Sequence, residues 1–170
     1  MIAAANPPWL RGVAVASVGI RPRTTLPRLV KPLRTALYAF ELPAFAQKRS
    51  YFGPKGSYDP RVAELSTREH KAPAVLDELD EIAFWWPKNN GAIAPDVRVP
   101  VDAALGEWDA LWNSNTVDTD DFGQLFTSSP SVTSRRIEGA GHCVDLHYAG
   151  AELHQHQLAF ARRCTHDRAL

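Results

Sequence analysis

Residues 12–20 read GVAVASVGI, a continuous run of small and β-branched apolar residues with no polar alternation. Such a run fits a strand buried on both faces, which is how strands of a parallel sheet sit under helices. The next run of this kind is VRVPVDAALGEWD (97–109), and a shorter third one is VTSRRIEGAGH (132–142). Pro100 is tolerable only near the start of the second run, since proline donates no ladder hydrogen bond. Between the second and third runs, DTDDFGQLF (118–126) has room for one helix, and AGAELHQHQLAFARRC (149–164) reads as an amphipathic closing helix on Leu153, Leu158 and Phe160. The expected class is α/β, with about three parallel strands and flanking helices. The first and second strands are separated by far more chain than a crossover needs. Residues 21–95 therefore read as an inserted, mostly helical unit between 1–20 and 96–170.

Within that insert TTLPRLVKPLRTALYAF (24–40) places Leu26, Leu29, Val30, Leu33, Leu37 and Phe40 at helical spacing. Arg28, Lys31 and Arg34 lie off the stripe, and Pro27 and Pro32 argue against a long helix lying on a membrane. APAVLDELDEIAFWWPKN (72–89) predicts a second helix, acidic at its start and ending before Pro87. Its Trp85 and Trp86 either line a pocket or fill the core. SYFGPKGSYDP (50–60) reads as a loop.

Composition narrows the partners. Apolar residues make up 45% and charged residues 22% of 170, with 19 basic against 19 acidic side chains. That balance points to no nucleic acid and no membrane surface, although residues 1–58 carry nine Lys/Arg against Glu41 alone. Two cysteines, Cys143 and Cys164, are too few for a disulfide framework. No apolar run approaches membrane-spanning length, and MIAAANPPWLRGVAVAS lacks a basic leader before its apolar residues. A cytoplasmic location is expected.

Chemistry gathers at the carboxyl ends of the second and third strands, where sites of parallel sheets form. GEWDALW (106–112) puts Asp109 at one end, and GAGH (139–142) puts His142 at the other. A carboxylate on one ring nitrogen fixes the tautomer of a histidine and leaves the second nitrogen to deprotonate a nucleophile. Asp109 reads alternatively as a helix N-cap, and His142 as a structural loop histidine. Glu107, two residues before Asp109, is a weaker candidate for the acid. Trp108 and Trp112 either wall a pocket near the acid or pack under the insert. His142, Cys143, Asp145, His147, His154 and His156 are crowded enough to raise a zinc site. No C-x-x-C pair or H-E-x-x-H helix is present, and His154 and His156 would point about 200° apart on a helix. Cys143 as a nucleophile is disfavoured by its adjacency to His142.

VRVPVDAALGEWDALW, then IEGAGHCVDLHYAG and a terminal helix, resembles the last third of an α/β-hydrolase. The resemblance implies a partial α/β-hydrolase fold, with Asp109 as the acid, His142 as the histidine, and residues 21–95 as the helical cap. It implies that MIAAANPPWLRGVAVASVG ends the helix after the nucleophile and enters the following strand. The nucleophile elbow Gly-x-Ser-x-Gly is absent from the chain, Ser17 lacking the first glycine, and the oxyanion loop has no counterpart. The chain therefore reads as the C-terminal part of a hydrolase, silent by itself, from a parent that cleaves esters or related acyl compounds without any cofactor. Trp85, Trp86, Trp108 and Trp112 are then candidates for the substrate pocket. The rival is a non-catalytic interaction module on the same scaffold. Asp102 interrupts an otherwise apolar strand where the family carries an aliphatic residue. Three strands cut from a larger sheet leave an open edge, so self-association is expected.

Overall fold

Parallel strands bury both faces only if helices come from both sides, and the chain order supplies them. The computed structural model describes residues 2–33, 39–69 and 74–166. A short 3-10 turn at Ile2–Ala5 leads to β1 (Val13–Ala16). The insert follows as α1 (Thr25–Leu33), β2 (Ala39–Phe40), α2 (Ala44–Tyr51), α3 (Pro60–Glu69), β3 (Ala74–Val75), α4 (Leu76–Asp80) and α5 (Trp86–Ile93). Then come β4 (Val101–Gly106), α6 (Thr116–Gln124), β5 (Val132–Ile137) and α7 (Gly150–His166). The sheet is parallel in the order β1-β4-β5, and every residue of β4 is buried.

The register runs Val13↔Val101 to Ala16↔Ala104 and Val101↔Val132 to Gly106↔Ile137. Alternation then puts Ala14, Ala16, Asp102, Ala104 and Arg135 on one face, and Val13, Val15, Val101, Ala103, Leu105 and Ser134 on the other. Helix α7 covers the first face, with Leu153 against Ala16, Ala104, Ala140 and Val144. Helix α6 covers the second, and the Ser134 hydroxyl donates to the Thr119 carbonyl at 2.7 Å. Asn115 caps α6, its side chain accepting from the Asp118 N–H at 2.9 Å.

The insert departs from its sequence pattern at two points. Helix α1 buries Leu26 and Val30 against Leu76 and Ala83, as the spacing predicts. It does not run to Phe40, because Ala39 and Phe40 pair antiparallel with Val75 and Ala74. Residues 34–38 and 72–73, within the two helices predicted, lie outside the described residues. The second helix does not stop before Pro87. A π-helical segment, Glu81–Trp85, joins α4 to α5, with the Trp86 N–H bonded to the Glu81 carbonyl. Pro87 follows directly on this segment, where the wider i→i−5 turn accommodates a residue without an N–H.

Asp102 is the one charged residue of β4 and is buried. Its buried carboxylate faces α7 between Arg135 of β5 at 3.4 Å and His156 of α7 at 3.3 Å. Arg135 therefore pairs the charge, while His156 lies beside the other carboxylate oxygen without hydrogen-bond geometry. Removing Arg135 would strand a buried carboxylate. Arg135→Leu is expected to cost about 2 kcal/mol, less than a fully buried broken pair because the guanidinium is part-exposed. Adding Asp102→Val should recover most of that loss, read by urea unfolding of the single and double variants. An additive or larger loss in the double variant would contradict the pairing.

Candidate functional site

The carboxyl end of β4 and the loop after β5 are laced together through their backbones. The Glu107 N–H bonds the Ile137 carbonyl at 2.9 Å and the Trp108 N–H bonds the Ala140 carbonyl at 2.8 Å. The Glu107 carboxylate accepts from the Gly139 N–H at 2.9 Å, so this side chain holds the turn that precedes His142. Asp109, on the far side of that lacing, is fully buried. Its Oδ1 accepts from the N–H groups of Leu111 at 2.8 Å and Trp112 at 2.9 Å, and its Oδ2 accepts from His142 Nδ1 at 2.8 Å. The capping and histidine-orienting readings of Asp109 thus coexist, one on each oxygen, although the turn it caps is not a helix. Backbone donors aimed at one oxygen stabilise the ionised carboxylate that the imidazole then meets.

The His142 backbone is pinned on several sides. Its carbonyl accepts from the Ser17 hydroxyl and from the Val144 N–H at 3.1 Å. The next residue, Cys143, donates its N–H to the Tyr51 carbonyl at 2.9 Å. Ser17 stands at the end of β1 in the left-handed region, φ 63°. His147 is buried beside this loop, with Nε2 accepting from Gly53 and Gly141 and Nδ1 bonded to the Cys143 carbonyl. Burial holds its pKa below the ordinary histidine value, against the Cys143 carbonyl and Asp145, which favour the charged form. Sequence reading assigned neither Ser17 nor His147 to the site. A strand-end serine and a second histidine five residues after the first were the only linear signals.

With Nδ1 on Asp109, the imidazole of His142 borders a trough of about 390 Å³. Its lining is almost wholly apolar and runs the length of β1, from Val13 past Ser17 and Val18, to Leu111, Trp112 and His142. Among the described residues, the outer edge of β1 pairs with no strand. The tryptophans divide. Trp112 and Trp86 line the trough, Trp86 donating its indole N–H to the Gly19 carbonyl at 2.9 Å. Trp85 is largely exposed and lines a separate acidic cleft with Asp77, Asp80 and Glu81. Trp108 is exposed and lines neither.

The residues that raised a zinc site have separate partners. His142 goes to Asp109, His147 to the backbone and His156 to Asp102, while His154 is exposed. Among the described residues no three His, Cys, Asp or Glu side chains group about one point. Burial first, then Asp145 and Asp109, push the Cys143 thiol up to about 12, so it is not a thiolate near neutral pH. Among the described residues no helix is long and apolar enough to cross a membrane.

No family model and no curated protein matches the sequence. Solved structures do match the fold. An enol-lactonase from Burkholderia xenovorans LB400 superposes with a TM-score of 0.64 at 17% identity, over 94% of this chain and 60% of its own. A thermophilic esterase from Thermogutta terrifontis gives 0.60 at 15%, over 91% and 57%. An alpha/beta hydrolase fold protein from Chitinophaga pinensis gives 0.57 at 15%, over 94% and 59%. The chain has a partial α/β-hydrolase fold. It spans about three fifths of the length of these structures.

Proposed function

We propose that this chain supplies the base and the acid of a hydrolase acting on esters or related acyl compounds, with the nucleophile on a segment outside these 170 residues. The observation that carries the reading is the 2.8 Å bond from His142 Nδ1 to a carboxylate buried and oriented by two backbone N–H groups. With Nδ1–H donating to Asp109, Nε2 is the nitrogen that takes a proton. It removes the proton of the nucleophile as the bond to the acyl carbon forms, then returns it to the leaving alcohol as the ester C–O bond breaks. A water molecule repeats the sequence on the acyl-enzyme, and Asp109 stays ionised throughout. The open parallel edge of β1 and the apolar trough beside it suit a strand and an apolar face carrying the nucleophile. Residues 21–95, which bring Trp86 to the trough, act in this reading as the cap over the substrate, whose ester-like group meets His142 beside Trp112.

The test is to read the coding frame upstream of Met1, express the longer product and assay hydrolysis of p-nitrophenyl acetate. The expected frame encodes Gly-x-Ser-x-Gly or its aspartate counterpart, and His142→Ala lowers turnover at least about a thousand-fold. A folded, active long form whose His142→Ala variant keeps its rate would remove His142 from the chemistry. A stop codon directly upstream would instead favour the interaction module.

A further inference from the structure

His142 is flanked by two residues whose main chains are held by a single side chain. His147 Nε2 accepts the Gly141 N–H at 3.0 Å, and its Nδ1 bonds the Cys143 carbonyl at 2.8 Å. The same Nε2 accepts the Gly53 N–H of the insert at 2.9 Å. A ring nitrogen facing two N–H donors carries no proton, so the proton is on Nδ1 and the Cys143 carbonyl accepts it. One neutral imidazole therefore ties both neighbours of His142 to each other and the loop to the insert. We propose that His147 is a positioning residue for His142, a clamp that holds the loop while neutral and lets go of Gly53 and Gly141 when protonated. The proposal rests on the hydrolase reading only in that the clamped loop carries the proposed base.

Protonation would set an N–H on Nε2 against two N–H groups, leaving both glycine donors without an acceptor, Gly141 at a buried position and Gly53 at a part-buried one. The groups around the ring decide where that happens. Phe52 and Tyr58 wall it at 5.6 and 5.7 Å between ring centres. Cys143 and Tyr51 are both pushed up in pKa, chiefly by burial, and are neutral. Asp145, on the turn Val144–Leu146, and the neighbouring His142 are the other titratable groups near the ring among the described residues, and the Cys143 carbonyl first, then Asp145, draw the ring toward its charged form. Burial outweighs both. The folded pKa lies below the unfolded one, so the clamp is complete above the ordinary value of 6.5 and is lost as pH falls through the lowered value.

Amide hydrogen exchange and ring ¹⁵N shifts on the 170-residue chain test this without any activity assay. The expected result is His147 in the Nδ1–H tautomer, with Gly53 and Gly141 protected at neutral pH. Their protection factors should fall together, about ten-fold or more, as His147 titrates, while β4 amides keep theirs. His147→Phe should remove that protection at every pH. His147→Gln, whose side-chain oxygen can accept, should restore part of it and abolish the pH dependence. Where the Phe variant does not fold, the pH course of the unaltered chain decides. An Nε2–H tautomer, or glycine protection that ignores His147 titration, overturns the proposal. Loss of the hydrolase reading would show instead as turnover indifferent to His142, with the exchange data untouched.

Discussion

Asp109→Asn, in the proposed hydrolase supplied with its nucleophile, is expected to lower turnover about ten-thousand-fold with little change in fold. Asparagine fills the same volume, so the packing around residue 109 survives. The hydrogen bonds do not. If the amide oxygen keeps the N–H groups of Leu111 and Trp112, its NH₂ faces His142 Nδ1. That nitrogen must then accept, the proton moves to Nε2, and the ring can no longer take a proton from a nucleophile. If the amide flips, its NH₂ opposes two backbone donors and the turn over 109–112 loses both bonds. Turnover of p-nitrophenyl acetate and the His142 tautomer from ¹⁵N shifts read the two consequences separately. Asp109→Asn combined with His142→Ala should be scarcely worse than His142→Ala alone, since the two act as a unit. Activity within ten-fold of the unaltered protein would show that Asp109 is only a capping residue.

Asp109 and His142 were legible because strand ends in a parallel sheet are adjacent, whatever lies between them in sequence. The strands were legible for a related reason: β4 is buried on both faces and must be apolar throughout. Its single exception, Asp102, made no sense in linear terms because its partners stand 33 residues away on β5 and 54 away on α7. The helix ends were misread where tertiary pairing competes with local pattern. Leu37 and Phe40 continue the spacing of α1, yet Phe40 finds a strand partner in Ala74. Pro87 reads as a stop, yet the π-helical segment before it removes the conflict. Trp85 and Trp86 are indistinguishable by composition. On a helix they point about 100° apart, and only Trp86 reaches the trough that His142 borders. The hold of His147 on the loop was invisible because all its partners are backbone groups, and backbone donors leave no mark in a sequence.

A covered face and an open one distinguish the two sides of β1. Ala14 and Ala16 lie toward α7, whereas Val13 and Val15 face the trough, so the larger apolar side chains point to the side that still has room. Among the described residues the edge of β1 is open and the trough beside it is apolar, and the proposed reading would fill both with a parallel strand joined to an apolar helix. In the proposed reading this fits the site, where Asp109 and His142 follow β4 and β5 while the end of β1 supplies only Ser17 to the His142 backbone.

Gly106→Ala is expected to destabilise the chain by at least about 3 kcal/mol, the upper end for overpacking. A Cβ at residue 106 would meet the Gly141 carbonyl oxygen at 2.1 Å, the Ala140 oxygen at 2.8 Å and the Gly141 carbon at 2.9 Å. These are main-chain atoms, and the segment they belong to is bound by the Trp108 N–H and by His147. No side chain can swing away to make room, so the loop must move as a body. Asp109 follows residue 106 on the strand side, whereas His142 moves with Gly141, so the displacement acts directly on the 2.8 Å bond between them. The variant should therefore lose the hydrogen-bonded Nδ1 proton signal of His142 under conditions where folded chain persists. Gly91, within α5 and with nothing within 4 Å of an added Cβ, is the matched control. There alanine should be neutral or stabilising by up to about 1 kcal/mol. Urea unfolding compares the two, and a Gly106→Ala chain as stable as Gly91→Ala would mean that the strand end and the histidine loop are not in contact. The distance that brings His142 to Asp109 would then have to be set elsewhere.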